Sequence, residues 1–170
     1  REYGITRPGP ILDQLNNEIV NALMQRHEET IKDGMDMALI AFDYRNFTLE
    51  YAGAYNPLYV VREGELTAYK ADRFPIGMSS QHVKKSFQTQ QVDIKPGDMI
   101  YMCSDGYADQ FGSASAKKFK SGNVKKLLCE LWNLPVNEQK EKLQKVILDW
   151  KGNYPQIDDI MFIGTRIPQA

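Results

Sequence analysis

Short apolar segments, each closed by turn residues, fill the middle of this chain and constrain its fold more than any other feature. Their lengths and their β-branched and aromatic residues are typical of strands. The turns between them, such as Arg45-Asn46 and Glu63-Gly64, are short, and short turns join antiparallel neighbours. Strands are therefore predicted over residues 35–44, 47–55, 58–62, 66–70, 86–94 and 99–104.

Helical patterns flank these strands on both sides. Near the start of the chain, Leu15, Ile19 and Leu23 recur every four residues, which places them on one face of a helix. Two further amphipathic segments follow the strands, and a last apolar segment has the length of a strand. Helices are predicted over residues 11–26, 123–134 and 137–150, and a final strand over residues 158–167.

The order of the elements indicates an α+β fold with mainly antiparallel sheet. The chain has 170 residues, of which 42% are hydrophobic and 25% charged, so a single globular domain is predicted over residues 1–170. A net charge of -1 gives no support for binding nucleic acid or an anionic membrane. The lysine-rich run at 117–126 is interpreted as a solvated loop and helix face.

The cysteines indicate a reducing compartment. Cys103 and Cys129 have no C-x-x-C spacing and no histidine nearby in sequence, which argues against a zinc site and against a disulfide framework. The apolar runs are too short to span a bilayer. A cytoplasmic location is therefore expected, and the alternative is the cytoplasmic part of a larger, membrane-attached protein.

Three aspartates lie at the ends of predicted strands. Asp105 follows one strand, and Asp158 and Asp159 begin another. If these strands pair antiparallel, the carboxylates share one sheet edge, where their mutual repulsion needs compensation. Hard divalent cations such as Mg²⁺ and Mn²⁺ provide it, and two such ions on shared ligands suit in-line hydrolysis of a phosphoester.

An ordinary structural interpretation of the same residues remains open. Asp-Gly, as at Asp105-Gly106, is a common turn pair. An acid pair before a strand, as at Asp158 and Asp159, is equally compatible with a solvated strand end. Spacing alone does not choose between a metal site and these alternatives.

Several segments together resemble one family of proteins. The stretch PGDMIYMCSDGYADQFG, followed by KKF and QIDDIMFIG, resembles bacterial metal-dependent protein phosphatases of the sporulation-stage-II-E type, in the type 2C (PPM) serine/threonine phosphatase superfamily. The earlier stretches DGMDMALIAFD and LEYAGAYNPLYVVREGEL resemble the preceding segments of that family. The blocks occur in the family's order over residues 12–167.

The resemblance implies a fold, a cofactor and a set of site residues. The fold is an α-β-β-α sandwich of two mainly antiparallel sheets flanked by helices, with two Mn²⁺ or Mg²⁺ ions at one end of the sheets. Asp105 and Asp158 match metal ligands of the family. Asp159 and Gly106 match supporting positions, and Asp36 falls near a position close to the site without being a ligand.

The resemblance also implies a function. Relatives hydrolyse phosphoserine or phosphothreonine on a partner protein by metal-activated water. Their substrate is often a small anti-sigma-factor antagonist, upstream sensor domains control them, and regulated members often form homodimers. A phosphoprotein substrate, upstream sensor domains and a homodimer are therefore expected partners here, and nucleic acid is not.

One departure from the family pattern affects the expected activity. The family's first motif, Gly-Asp-x-x-Gly-His-Gly, supplies the carboxylate that bridges both metals, and this sequence lacks it. We expect that the chain is the C-terminal majority of a catalytic domain that is missing its N-terminal part, and that alone it is inactive or weakly active. The alternative is a non-catalytic binding or signal-transmitting module on the same fold.

Overall fold

A computed structural model describes residues 4–24, 34–77, 86–113 and 116–168. The α+β class with antiparallel sheets, predicted from the sequence, is confirmed. No helix within the described ranges is both long enough and apolar enough to cross a membrane. The helices are α1 Pro8–Met24, α2 Gly106–Asp109, α3 Ser121–Leu131 and α4 Val136–Lys151, and the strands are β1 Met37–Asp43, β2 Thr48–Ala54, β3 Leu58–Arg62, β4 Glu65–Tyr69, β5 Gln90–Val92, β6 Met99–Cys103 and β7 Phe162–Arg166.

The chain forms two compact units, so the single domain predicted from its length stays a prediction. The first unit comprises Arg1–Leu58 and Tyr69–Ile94, and the second comprises Tyr59–Ala68 and Lys95–Ala170. Each unit has its own sheet and its own cluster of buried apolar side chains.

The first unit packs α1 on a three-stranded sheet in the order β1-β2-β5. Leu15 and Ile19 of the apolar stripe pack against the core cluster as their spacing predicts, and Leu12, beside them on α1, is fully buried in it. The helix begins at Pro8, where the missing N–H of a proline costs no helical hydrogen bond. Residues 25 and 26 of the predicted helix lie outside the described residues.

The strand predicted over residues 86–94 is wrong in length, because only Gln90–Val92 pair as β5. The backbone amides of the residues before β5 donate hydrogen bonds to side chains instead of to a neighbouring strand. The N–H of Phe87 donates to Oδ1 of Asp13 (2.9 Å), and the N–H of Gln88 donates to Oδ2 of Asp72 (2.8 Å). These carboxylates satisfy amides that a neighbouring strand would otherwise bind.

The second unit contains a four-stranded sheet in the order β4-β3-β6-β7, with α3 and α4 packed against it. Pairing of β6 with both β3 and β7 is antiparallel. Its core joins sheet residues to helix residues, and the hydroxyl of Tyr101 in β6 donates to Oε1 of Gln139 in α4 at 2.6 Å in a buried position. The buried members of this core are Tyr59, Val61, Met99, Tyr101, Tyr107, Phe119, Val124, Leu128, Leu131, Leu143 and Ile147.

A partly buried ion pair fixes the turn that leads into β6. Asp98 is only 2% exposed, and its two carboxylate oxygens accept hydrogen bonds from Nε (2.9 Å) and Nη2 (2.8 Å) of Arg62. The N–H of Lys95 donates to the same carboxylate at 2.7 Å. This fork geometry gives the carboxylate three donors, which is the arrangement that a buried charge requires.

Candidate functional site

The end of β6 and the approach to β7 lie side by side in the second unit. The register of the two strands places Cys103 opposite Phe162. Because the strands are antiparallel, the residues after Cys103 and the residues before Phe162 meet at the same edge of the sheet. Asp105 lies on the first of these segments, and Asp158 and Asp159 lie on the second.

Ser104 joins the two segments. Its hydroxyl donates to the carbonyl oxygen of Asp159 (2.7 Å) and accepts from the N–H of Met161 (2.9 Å), while its own N–H donates to the carbonyl of Met161 (3.1 Å). The side chain thus fixes the loop that carries the acid pair relative to the residue before Asp105. The sequence patterns do not single out Ser104, and its position before Asp-Gly is the only signal for it.

The predicted final strand begins too early. Residues 158–161 precede β7, which starts at Phe162, so Asp158 and Asp159 lie in a loop and not on the strand itself. The physical reason is Ser104: its hydroxyl takes the place of a backbone carbonyl as acceptor for Met161, and the regular ladder ends there.

Gly106 allows the closest approach between the segments. A Cβ atom at this position would lie 2.5 Å from the carbonyl oxygen of Asp159 and 3.0 Å from its carbonyl carbon. Gly106 also begins α2, a single helical turn whose Asp109 N–H donates to the carbonyl of Asp105 (2.9 Å). Asp105-Gly106 therefore leads into a helical turn, which the sequence pattern is too short to reveal.

The three carboxylates at this edge, Asp105, Asp158 and Asp159, are exposed, and together they are called the acidic rim below. The side chain of Asp105 forms no capping hydrogen bond with α2. Oδ1 of Asp158 accepts from the N–H of Asp159 at 2.7 Å. Within the described parts of the chain, no lysine, arginine or histidine forms an ion pair with the acidic rim.

The charge of Asp105 affects the neighbouring cysteine. Burial raises the pKa of the Cys103 thiol to about 11, and the Asp105 carboxylate adds to the rise. Both effects disfavour a thiolate. Cys103 is therefore a neutral thiol at physiological pH and does not qualify as a nucleophile.

The acidic rim fits a hard cation in the type of its donors but not in their number. Carboxylate oxygens are the ligands that Mg²⁺ and Mn²⁺ prefer. Over the described residues, however, no three His, Cys, Asp or Glu side chains converge closely enough to hold a metal ion. The remaining predicted residue, Asp36, is exposed directly before β1 and belongs to the first unit.

Substituting Gly106 by alanine is expected to lower the free energy of unfolding by about 1–3 kcal/mol, because the added methyl group meets the Asp159 backbone, which cannot swing aside. Gly122 in α3 is the matched control, since a Cβ there meets nothing within 4 Å and alanine favours a helix by about 1 kcal/mol. Urea unfolding of both variants checks this, and equal destabilisation would contradict it.

Solved structures of type 2C phosphatase domains share this fold. The SiaA-PP2C domain of Pseudomonas aeruginosa is 27% identical, with a TM-score of 0.84 over 96% of this chain and 62% of that chain. The phosphatase domain of SpoIIE from Bacillus subtilis is 13% identical, with a TM-score of 0.62 over 94% of this chain and 74% of its own. The serine/threonine phosphatase PstP/Ppp of Mycobacterium tuberculosis is 17% identical, with a TM-score of 0.59 over 91% of this chain and 68% of that chain.

The predicted fold class, that of type 2C phosphatases, is thereby confirmed. The chain spans 62% of the length of the SiaA domain structure. No curated protein matches the sequence. The family model described as Stage II sporulation protein E (SpoIIE) matches residues 4–168, so the chain belongs to the SpoIIE family of PPM-type phosphatase domains.

Proposed function

We propose that this chain belongs to the catalytic part of a Mn²⁺- or Mg²⁺-dependent phosphatase that removes phosphate from serine or threonine of a partner protein. The observation that carries the proposal is the junction at Ser104, which holds Asp105 beside the loop of Asp158 and Asp159 in a chain of the SpoIIE family. An ordinary turn at Asp105 and a solvated strand end at Asp158 would not need a hydroxyl that binds both segments. The junction therefore favours a site over this ordinary interpretation.

Each residue at the junction has a distinct role in this proposal. Asp105 and Asp158 would hold the metal through their carboxylates, and a bound divalent cation would neutralise phosphate charge and activate water. Ser104 orients the segment of Asp159, which supports the neighbouring ligand. Gly106 has no Cβ, and this absence allows the two segments to approach each other closely.

The open position of the acidic rim favours a large substrate. The second unit contains a cavity of about 590 Å³ between α4 and β7, lined mainly by apolar side chains such as Leu143, Ile147 and Phe162. None of the three carboxylates lines it. Small-molecule enzymes enclose their substrate in such cavities, whereas exposed carboxylates suit a phosphate carried on a protein surface.

The partners and the location belong to the same proposal. The substrate class is a phosphoprotein such as an anti-sigma-factor antagonist, and upstream sensor domains and homodimerisation would regulate its dephosphorylation in the cytoplasm. The support is the resemblance of the sequence blocks to the family.

The chain alone should turn over slowly. It lacks the Gly-Asp-x-x-Gly-His-Gly motif, and no set of three metal-binding side chains converges over the described residues. With fewer carboxylates, two cations lose much of the charge that holds them together. The same observation favours the second candidate function, a non-catalytic module that binds a partner or transmits a signal.

Phosphate release from phosphoserine and phosphothreonine peptides distinguishes the two functions. We expect the full-length natural protein to release phosphate with Mn²⁺, to stop on chelation by EDTA, and to resume when Mn²⁺ is restored. The chain of residues 1–170 should release phosphate far more slowly under the same conditions. If the full-length protein binds the phosphopeptides but does not cleave them, the phosphatase function is wrong and the binding module is supported.

A further inference from the structure

Lys120 has a backbone conformation that lysine rarely adopts. Its φ is 74° and its ψ is 143°, close to a region of backbone space that is reached almost only by glycine. A non-glycine residue is strained there because its Cβ crowds the backbone. Strain of this kind persists where the surrounding structure enforces it, and it clusters at functional sites.

The neighbouring residue anchors this conformation in the core of the second unit. Phe119 is buried, and its ring packs edge-on against Tyr107 and Trp150, with centroid separations of 5.3 Å and 5.4 Å. Phe119 cannot move without opening the core. The backbone of Lys120 is therefore held in a fixed position, from which its exposed side chain extends.

The contacts of Lys120 do not explain why the residue is a lysine. Its N–H donates to the carbonyl of Ala108 (2.7 Å), and its carbonyl accepts from Asn123 (3.1 Å) and Val124 (3.3 Å) at the start of α3. Glycine would make all of these backbone hydrogen bonds without strain. The side chain is exposed and forms no capping hydrogen bond with α3.

Lys120 contacts the helical turn α2, which follows Asp105 of the acidic rim. The carbonyl that it contacts belongs to Ala108 in α2, and α2 begins directly after Asp105. Ala108 is the third residue after Asp105, which is about 4.5 Å along the helix axis. The backbone of Lys120 is thus about one helical turn away from a proposed metal ligand, a span comparable to the length of its side chain.

The ammonium group of Lys120 is available for a ligand. The neighbouring Lys118 is paired with Asp109 at 2.7 Å, so its charge is already compensated. Across the ranges that the structure describes, Lys120 has no ion-pair partner. A lysine with an uncompensated charge binds oxyanions such as carboxylate and phosphate.

We propose that Lys120 is a substrate-positioning residue whose ammonium group binds an oxyanion of the phosphoprotein beside the acidic rim, an inference that rests on the proposed function. The oxyanion is either the phosphoryl group itself or a carboxylate that flanks it in the substrate. This role accounts for a lysine at a position where the backbone favours glycine.

Three variants of the full-length natural protein separate charge from strain. Lys120→Gln removes the charge and keeps the strain, Lys120→Arg keeps both, and Lys120→Gly removes both. Lys126→Gln is the control, because Lys126 is an exposed lysine of α3 and its substitution changes the net charge equally. Binding is measured by fluorescence anisotropy with a labelled phosphoserine peptide flanked by glutamates and with one flanked by glutamines.

We expect Lys120→Gln and Lys120→Gly to weaken binding of the glutamate-flanked peptide about tenfold, with Lys120→Arg and Lys126→Gln within about twofold of the wild type. An equal loss for the glutamine-flanked peptide identifies the phosphoryl group as the oxyanion, and a loss confined to the glutamate-flanked peptide identifies the flanking carboxylate. Lys120→Gly should also raise the melting temperature by about 2–4 °C, whereas Lys120→Gln should not.

Two results would overturn the role of Lys120, and they differ in what else they overturn. If the wild type binds both peptides and Lys120→Gln binds them as tightly as Lys126→Gln does, the proposed function stands and the role of Lys120 is wrong. If the wild type binds neither peptide, both proposals are wrong.

Discussion

Replacing Asp98 by asparagine is expected to lower the free energy of unfolding by about 3 kcal/mol. The carboxylate accepts from three donors, namely Nε and Nη2 of Arg62 and the N–H of Lys95. An asparagine has one acceptor oxygen, so whichever way its amide turns, the NH₂ group faces at least one of these donors. The estimate lies at the low end for a broken buried pair because the Arg62 side chain is 31% exposed, and water compensates part of its charge.

An ion pair of similar length on the surface of α4 is the matched control. Lys145 and Asp149 lie 2.9 Å apart, but their side chains are 76% and 66% exposed. Asp149→Asn should therefore change the free energy of unfolding by less than about 0.5 kcal/mol. Urea unfolding of both variants makes the comparison, and a loss for Asp98→Asn no larger than that for Asp149→Asn would show that the fork contributes little. For a domain of ordinary stability, 5–15 kcal/mol, the expected loss is a large fraction of the total.

The periodic parts of the fold follow from the sequence because each depends on local spacing. The apolar stripe of α1, the antiparallel neighbours β6 and β7, and the two helices before the final strand are all present in the structure. Burial of one helix face or one strand face repeats every few residues, and the pattern therefore records it.

The errors arise where a side chain replaces a backbone partner. β5 is shorter than predicted because Asp13 and Asp72, which are far away in sequence, take the amides of Phe87 and Gln88. β7 begins late because the hydroxyl of Ser104 ends the ladder. Neither of these side-chain hydrogen bonds leaves a periodic signal in the sequence, because each depends on single residues that are far apart along the chain.

The candidate site could be predicted in the same limited way. The proximity of the segments that carry Asp105 and Asp158 follows from antiparallel pairing of two predicted strands. The hydroxyl that ties them together, the Lys120 backbone and the fork around Asp98 depend on tertiary contacts, which the sequence does not display. The identity of the ligands as Asp105 and Asp158 stays a prediction, and a metal titration tests it.

Asp105→Asn is expected to weaken Mn²⁺ binding by the full-length natural protein by about a hundredfold. Loss of a residue that merely supports a ligand typically costs tenfold to hundredfold in metal affinity, so loss of a ligand should reach at least the upper end of that range. Titration of free Mn²⁺ by electron paramagnetic resonance measures the affinity directly and does not depend on turnover.

Asp109→Asn is the control that separates coordination from net charge. Asp109 lies one helical turn after Asp105, on α2, and its carboxylate pairs with Lys118. Its substitution removes the same formal charge from the same part of the surface but takes away no proposed ligand, so the Mn²⁺ affinity should stay within about threefold of the wild type, as screened electrostatics at an exposed position predicts. If both variants lose affinity equally, the acidic rim attracts cations only as a diffuse negative surface. Asp105 would then have no role as a ligand, and the metal site of the proposed phosphatase would have to consist of other residues.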